Sequence, residues 1–535
     1  MAQPIQQLTI QAPAFFGLNT SDSPVGIDPN FASIATNCVI DKQGRIGARK
    51  GLINLDGSST TKTVESTSES FIEDGSTEIF SAGTTSGVNK IYKGTTLTEL
   101  ALPSGYTITD NNWKIVSFRT NTYFFQKGHN PLVYEGTELV DLTVGNTGSG
   151  GSLTGDTQAP QGNEALSAFG RIWVAGVTGF PTTIFFSDDL IAKGENAWTP
   201  QSGPTPPANN AGSLNISENL PDGPDEIVAL HGHNGFLIVF CKRSILIYKD
   251  AESPTTINLA DTISGVGCVS RDSVQNIGTD VLFLSETGVR SLGRVIQEKS
   301  LPMRDVSKNI RNDLLTLVDR EVDKNNIKSG YSSEEAFYLL TFPTSNTVVC
   351  FDIRSSLPDN SFRVTTWSDI NPLCFTTRTD RSLVIGKLGG LYKYSGFFDK
   401  IVEDGAYSSK SYQLSYFSNP MNFGNSTNLK FLKKLKITVI GNNSSETVLN
   451  WGYDYTGAFN KQVVPNLNPE ANFGEFGISE YNTNAEYSGG EALQNPVVNG
   501  SGSGSVLTIG LESKIEGTGY SVQQIDVSVL LGRTI

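Results

Sequence analysis

Apolar and polar positions alternate along this chain in short runs, and the runs recur. The unit is an apolar strand, a short polar turn, and a second strand ending in an aromatic, then a Gly or charged turn. Copies begin at Glu78 (EIFSAG, then NKIYKGTTLTEL), at Trp113 (WKIVSF, NTYFFQKG, PLVYEGTELVDL) and at Ala165 (ALSAFGRIWVAG, TTIFFS). Further copies cover 226–259, 272–296, 327–353 and 373–394. Marking the end of each second strand gives Tyr92, Tyr134, Phe186, Tyr248, Leu292, Phe351 and Tyr392, with spacings of 42, 52, 62, 44, 59 and 41. Four-stranded propeller blades repeat at about 40–50 residues. The longer gaps hold inserts: the Pro/Gly/Asn-rich 199–224 and a helix after 300. A hairpin cannot bury its apolar face alone, and a ring of hairpins supplies each with a neighbour while leaving few open edges. The pattern predicts an all-β fold, a β-propeller of about six or seven blades over 61–405. An open series of β-sandwiches is the competing arrangement.

One segment follows helical spacing. In 304–323, Val306, Ile310, Leu314, Leu317 and Val318 share one face, and Lys308, Arg311, Asn312 and Asp319 the other. This amphipathic helix is expected either to dock a second subunit or to pack on the propeller rim. Strand style changes near 405. KFLKKLKITVIG (430–441), ETVLNWGYDYTG (446–457), SVLTIGLES and SVQQIDVSVLLGRTI are longer strands, with a Gly/Asn/Ser-rich stretch at 482–505. They predict an antiparallel domain over 406–535, with GSGSG (500–504) as a loop tip or linker. Residues 1–60 are extended and turn-rich, with DKQG (41–44) as a tight turn between two short strands. Both chain ends are expected to join in one platform.

Composition narrows the function. Of 535 residues, 37% are hydrophobic, which is enough for a large core, while 18% are charged, too few for a coiled coil or helical repeat. Gly (54) and Pro (23) favour tight turns. A net charge of −14 repels phosphate, so duplex DNA is expected to bind weakly and without sequence preference. The four lysines of 430–436 do not alter this, because alternate residues of a strand face opposite sides. The opening MAQPIQQLTI has no basic or apolar region, so no secretory leader is expected. The apolar run FLIVFC (236–241) is far too short to span a membrane. The Asn-x-Ser/Thr triplets, such as Asn425–Thr427, therefore reflect composition.

Candidate chemistry is sparse. Three histidines (His129, His231, His233) and five cysteines (Cys38, Cys241, Cys268, Cys350, Cys374) with no CxxC pair argue against structural zinc and a disulfide framework. His231 and His233 would share a strand face and could share a metal, but no third ligand is indicated and HGHNG reads as a hairpin turn. Ser187, Asp189, Gly194 and Trp198, with Asp188, resemble the Ser-x-Asp turn of sialidase-type propellers at too long a spacing. Trp367–Asp369 is a second Trp-Ser-Asp. Both read as blade-closing turns, with Asp accepting backbone N–H bonds and Trp packing on the next blade. Trp451, Tyr453 and Tyr455 could stack on sugars, or form a core-facing and an exposed row. No elbow, zincin, phosphate-loop or EF-hand spacing occurs, so no catalytic, metal or cofactor-binding residue is assigned and no enzyme activity is expected.

The stretch GLNTSDSPVGIDPNFASIATNCVIDKQGRIGARKG (17–51) resembles the opening of phage tail nozzle proteins, also called tail tubular protein B or head–tail stabilisation proteins, of short-tailed podovirus-like phages. Asn37, Asp41, Gly44, Arg49 and Gly51 carry the match. GCVSRDSVQNIGTDVLFLSETGVRSL (267–292), FLIVFCKRSILIYKD (236–250), the turn FFSDDLIAKGENAW ending at Trp198, and the ending IDVSVLLGRTI (525–535) are similar to other parts of that group. The resemblance implies a structural virion protein assembled in the host cytoplasm. It would form a ring, a hexamer, as the nozzle at the distal end of the tail tube, conducting and retaining the genome. Its partners would be tail adaptor proteins and tail fibres, with DNA passing untethered and no membrane insertion. The irregular blade spacing departs from the group. Two other readings stand beside it: a carbohydrate-binding or depolymerising tail component, and a cellular propeller serving as a scaffold.

Overall fold

The computed structural model describes residues 5–24, 26–55, 60–142, 159–193, 197–200, 210–297, 305–440, 447–464 and 493–534. Among these, no helix is long and apolar enough to cross a membrane. Seven antiparallel hairpin sheets follow one another along the chain. Their innermost strands are Lys62–Phe71, Lys114–Phe118, Glu164–Ala168, Ile227–His233, Gln275–Asn276, Lys328–Ser332 and Cys374–Thr377. Each packs on the next, the fifth partly through the short turn Arg271–Ser273, and the seventh returns to the first. The ring is a seven-bladed β-propeller.

The residues that mark the repeat are the reason it closes. Tyr92, Tyr134, Phe186, Tyr248, Phe351 and Tyr392 lie in the third strands of their blades, and Leu292 directly follows the third strand of blade five. All seven are buried. Separate hydrophobic cores fill the spaces between consecutive blades. Rings meet across these spaces: Phe80 and Phe124 at 6.0 Å, Phe240 and Phe283 at 5.0 Å, and Trp367 stacked on Tyr394 at 5.2 Å.

Blade five has three strands among the described residues, and the insert takes the outer position. A 3-10 turn, Lys308–Ile310, runs into the helix Arg311–Arg320. Val306, Ile310, Leu314 and Val318 are buried with Leu284, Tyr338 and Phe362, while Lys308, Asn312 and Asp319 face outward. The helix therefore packs on the propeller rim, and its apolar stripe has no room for a second subunit. The insert at 199–224 supplies the outer strand of blade three, Gly212–Asn215; residues 201–209 lie outside the described set.

Both chain ends build the platform. Ser521–Thr534 pairs with Asn428–Ile440 on one side and with Ile5–Gln11 and Ile46–Ala48 on the other. A second sheet is shared with the propeller. The outer strand of blade six, Arg363–Ser368, runs parallel to Phe31–Thr36, which pairs with Tyr412–Ser418 and onward to Leu507–Ile515 and Thr447–Tyr453. Blade seven is completed by the N-terminal strand Leu52–Asn54, which pairs with Gly390–Tyr394. The break in strand style near 405 falls in the turn of a hairpin, Asp399–Glu403 and Ala406–Lys410, joined to the same sheet.

One buried cluster locks these parts together. The Arg49 guanidinium makes a bidentate pair with Asp399 at 2.8 and 2.6 Å and donates from Nε to Asn37 Oδ1 at 3.0 Å. It lies 4.0 Å over the Tyr412 ring, and the Tyr412 hydroxyl donates to the Arg49 carbonyl. Asn37, left-handed at φ 54°, donates to Ser368 Oγ at 3.1 Å and to the Gln413 carbonyl at 3.0 Å. Asp41 Oδ1 accepts from the N–H groups of Gln43 and Arg45 and so sets the turn. Gly44 at φ +75° sits where a Cβ would lie 2.6 Å from that of Pro13, and a Cβ on Gly51 would lie 2.0 Å from the Phe398 carbonyl oxygen. Replacing Arg49 by Met leaves Asp399 as a buried charge without its partner. We expect a loss of about 3–5 kcal/mol, read as a shifted urea midpoint; a loss below about 1 kcal/mol would refute the role of this pair.

Candidate functional site

The chemistry-bearing groups that the fold gathers most densely sit at one end of the propeller axis. Inner strands enter there, and those of blades two, three and six open on charges that meet in one network: Lys114, Glu164 and Lys328. Arg271 and Asp272 come from the turn before blade five. Asp272 is the hub. Arg271 Nη2 donates to its Oδ2 at 2.7 Å, Lys114 Nζ lies 3.3 Å from its Oδ1, and Lys328 Nζ 3.9 Å from its Oδ2. Arg271, 1% exposed, also donates to the Asn163 carbonyl and to Asn112 Oδ1 at 2.8 Å. Lys328 donates to the Glu65 carbonyl at 2.9 Å and to Asn112 Oδ1 at 2.8 Å. The network binds together segments of five blades and the loop before the second.

Burial raises both carboxylates, but their neighbours leave them on opposite sides of the ordinary value. Desolvation alone would raise Asp272, but Arg271, Lys114 and Lys328 hold it well below the usual carboxylate range. Glu164 is pushed up to about 7 by burial, and Lys114 and Arg271 offset this only in part. The reason is geometric. Its Oε1 reaches Lys114 at 3.3 Å, but its Oε2 is 3.8 Å from Arg271 and makes no hydrogen bond among the described residues. Burial likewise lowers Lys328.

Beside the network opens a polar cavity of about 360 Å³, lined by Ser66, Trp113, Lys114, Asp272, Lys328 and Cys374 among others. It can hold water and small polar solutes between two ammonium groups and one carboxylate. Burial pushes the Cys374 thiol up to about 12, so it stays protonated and unreactive.

The residues singled out in the sequence fall elsewhere and apart. His231 is half-buried on the inner strand of blade four, lowered to about 4 by burial, Lys114 and His233, while His233 reaches the hairpin turn and contacts Asn234. Among the described residues no three His, Cys, Asp or Glu are placed to hold a metal. All five cysteines are buried and free. Ser187 Oγ accepts from the Ile172 N–H at 3.1 Å, Asp188 Oδ1 from the Asn210 N–H at 2.9 Å, Asp189 pairs with Arg171, and Trp198 donates to the Ala192 carbonyl at 3.0 Å. That segment is a blade-closing turn; Gly194 lies outside the described residues. Trp367 donates to the Cys38 carbonyl at 3.3 Å and packs on blade seven, and Asp369 accepts from Ser368 Oγ. Trp451 is buried, donating to the Ser501 carbonyl at 2.9 Å, and the Tyr453 hydroxyl holds the same loop, while Tyr455 is exposed in the turn beyond the strand. The segment 500–504 is thus tied down, with Gly500 and Gly504 bonded to Lys433 and Lys430, and is no linker. Lys430 is itself buried against the Asn425 and Ser505 carbonyls. Asn425 makes a local turn with Thr427.

Sequence reasoning missed the axis network. Its trace is a charged residue at the head of an inner strand, as in Trp-Lys-Ile-Val (113–116), Asn-Glu-Ala-Leu (163–166) and Ile-Lys-Ser-Gly (327–330).

No family model and no curated protein matches the chain. Among solved structures, the extracellular domain of a one component system from B. thetaiotaomicron is similar over 66% of this chain at 12% identity and a TM-score of 0.37, and the chain spans 41% of that one. A streptogramin B lyase matches over 64% of this chain and 97% of its own, at 12% identity and a TM-score of 0.34. The Neurospora crassa Pan2 WD40 domain matches over 65% and 94%, at 10% identity and a TM-score of 0.34.

The Glu164 carboxyl titrates higher folded than unfolded, so its contribution favours folding at low pH and is lost as pH rises through about 7. At pH 8 its ionised form is a cost, at most about 3 kcal/mol at 1.36 kcal/mol per unit. Glu164→Gln removes that titration. Urea midpoints should move in favour of the Gln variant from pH 5 to pH 8; a difference between variants that does not change with pH would contradict the assignment.

Proposed function

We propose that this chain is a structural virion protein: a nozzle subunit that assembles, in six copies, into a ring at the end of a short phage tail and lets the genome pass. The carrying observation is where the resembling residues work. Asn37, Arg49 and Gly51 act at the junction of platform and propeller, and Asp41 and Gly44 set the turn between two platform strands that leads into it. The resemblance implies that same pairing of a propeller with a platform made from both chain ends. The net charge of −14 is in keeping with a conduit from which DNA slides free. The aromatic and carboxylate groups that would favour a sugar-cleaving reading, Asp188, Asp189, Trp367 and Trp451, are engaged in turns and core packing.

The test is assembly. Light scattering of the purified chain, alone and with a purified tail adaptor ring, should give six copies per particle, and micrographs should show a ring. Peptide mapping of virions should recover the chain. A monomer that ignores the adaptor and is absent from virions would overturn the reading.

A further inference from the structure

We propose that Asn234 is a site of spontaneous deamidation, assisted by the neighbouring His233, so that the hairpin tip of blade four acquires a carboxylate as the protein ages. The chain contains two Asn-Gly steps, Asn234–Gly235 and Asn499–Gly500. A glycine after asparagine leaves its amide nitrogen unhindered by a side chain, which is what ring closure on the asparagine amide requires.

The structure treats the two steps differently. His233 pairs with Phe236, so Asn234 and Gly235 form a two-residue turn with φ of +50° and +80°. Both are exposed, and nothing lies within 4 Å of where a Gly235 Cβ would stand. His233 Nε2 is 3.0 Å from Asn234 Nδ2. At the other step, the Gly500 N–H donates to the Lys433 carbonyl at 3.1 Å, and a Cβ there would lie 2.2 Å from Leu432 Cγ. Asn499 is held in register against Lys434. The second nucleophile is hydrogen-bonded and walled in.

The chemistry balances without a cofactor. The Gly235 amide loses its proton to solvent and attacks Cγ of Asn234. The N–Cγ bond forms, the Cγ–Nδ2 bond breaks, and the nitrogen leaves as ammonia, taking its proton from the imidazolium form of His233, which is formed by uptake of a proton from solvent at Nε2. Water then opens the resulting succinimide at either carbonyl, giving aspartate or isoaspartate. Aspartate tolerates the positive φ and adds one negative charge beside His233. Isoaspartate puts an extra methylene into the main chain of a two-residue turn, so the pairing of His233 with Phe236 is lost or the strand slips.

The test is peptide mapping by mass spectrometry of the full chain held at neutral pH for weeks. We expect conversion at Asn234 at least about tenfold faster than at Asn499. His233→Gln should slow Asn234 by roughly threefold or more. In concentrated urea the two steps should convert at like rates, a measurement that does not depend on a variant folding. Equal rates in the folded chain, a difference that survives in urea, or an unchanged rate in a folded His233→Gln variant would each overturn the proposal.

Discussion

A buried guanidinium must find an acceptor for its N–H groups, and Arg49 finds its acceptors on separate parts of the chain. Asn37 lies before it, and Asp399 lies 350 residues after it. The Tyr412 ring covers its face, so the platform strand Tyr412–Ser418 is drawn in as well. Three residues beyond Arg49 the chain enters the strand Leu52–Asn54, which completes blade seven. Closure of the ring and attachment of the platform therefore hang on the same ion pair. Neither could shift without uncovering a charge in the interior.

The axis network has the opposite character. At Arg49 the guanidinium and the Asp399 carboxylate meet in two hydrogen bonds. At the axis, three cations converge on Asp272, and Glu164 is left with an oxygen that accepts no hydrogen bond among the described residues. Such a cluster holds inner strands in a common register, yet it keeps a proton equilibrium near neutrality inside the protein. A packed hydrophobic axis would have neither property.

The blade period was legible because it is local: a hairpin carries its own alternation, and in six of the seven blades a buried aromatic lies at or near the end of the third strand. The helix stripe at Val306, Ile310, Leu314 and Val318 was legible for the same reason. What could not be read was whatever depends on closing the circle. Lys114, Glu164, Arg271 and Lys328 are neighbours only because successive strands point at one axis, and a charge at the head of a strand does not say which other charges it will meet. The parallel pairing of Thr36 with Thr366, which makes blade six and the platform one sheet, spans 330 residues and leaves no local pattern. The loop 500–504 has a linker's composition, and its order comes from Tyr453 and Lys430 on other strands. Even the family-like residues Asn37 and Arg49 showed only as a motif, and their partners Asp399, Tyr412 and Gln413 could not be guessed from it.

The pairing of Ile5–Gln11 with Ser521–Thr534 has a consequence for biosynthesis. The earlier of these two strands to leave the ribosome must wait for the later one. At about 5–20 residues per second, translation of the stretch between them takes roughly half a minute to two minutes. Throughout that time the leading segment has blades to sit beside but no sheet to join, with its backbone edge open to other nascent chains. Co-translational chaperoning is most needed at this end, and crowding several copies on one messenger would carry the greatest hazard of strand exchange between them.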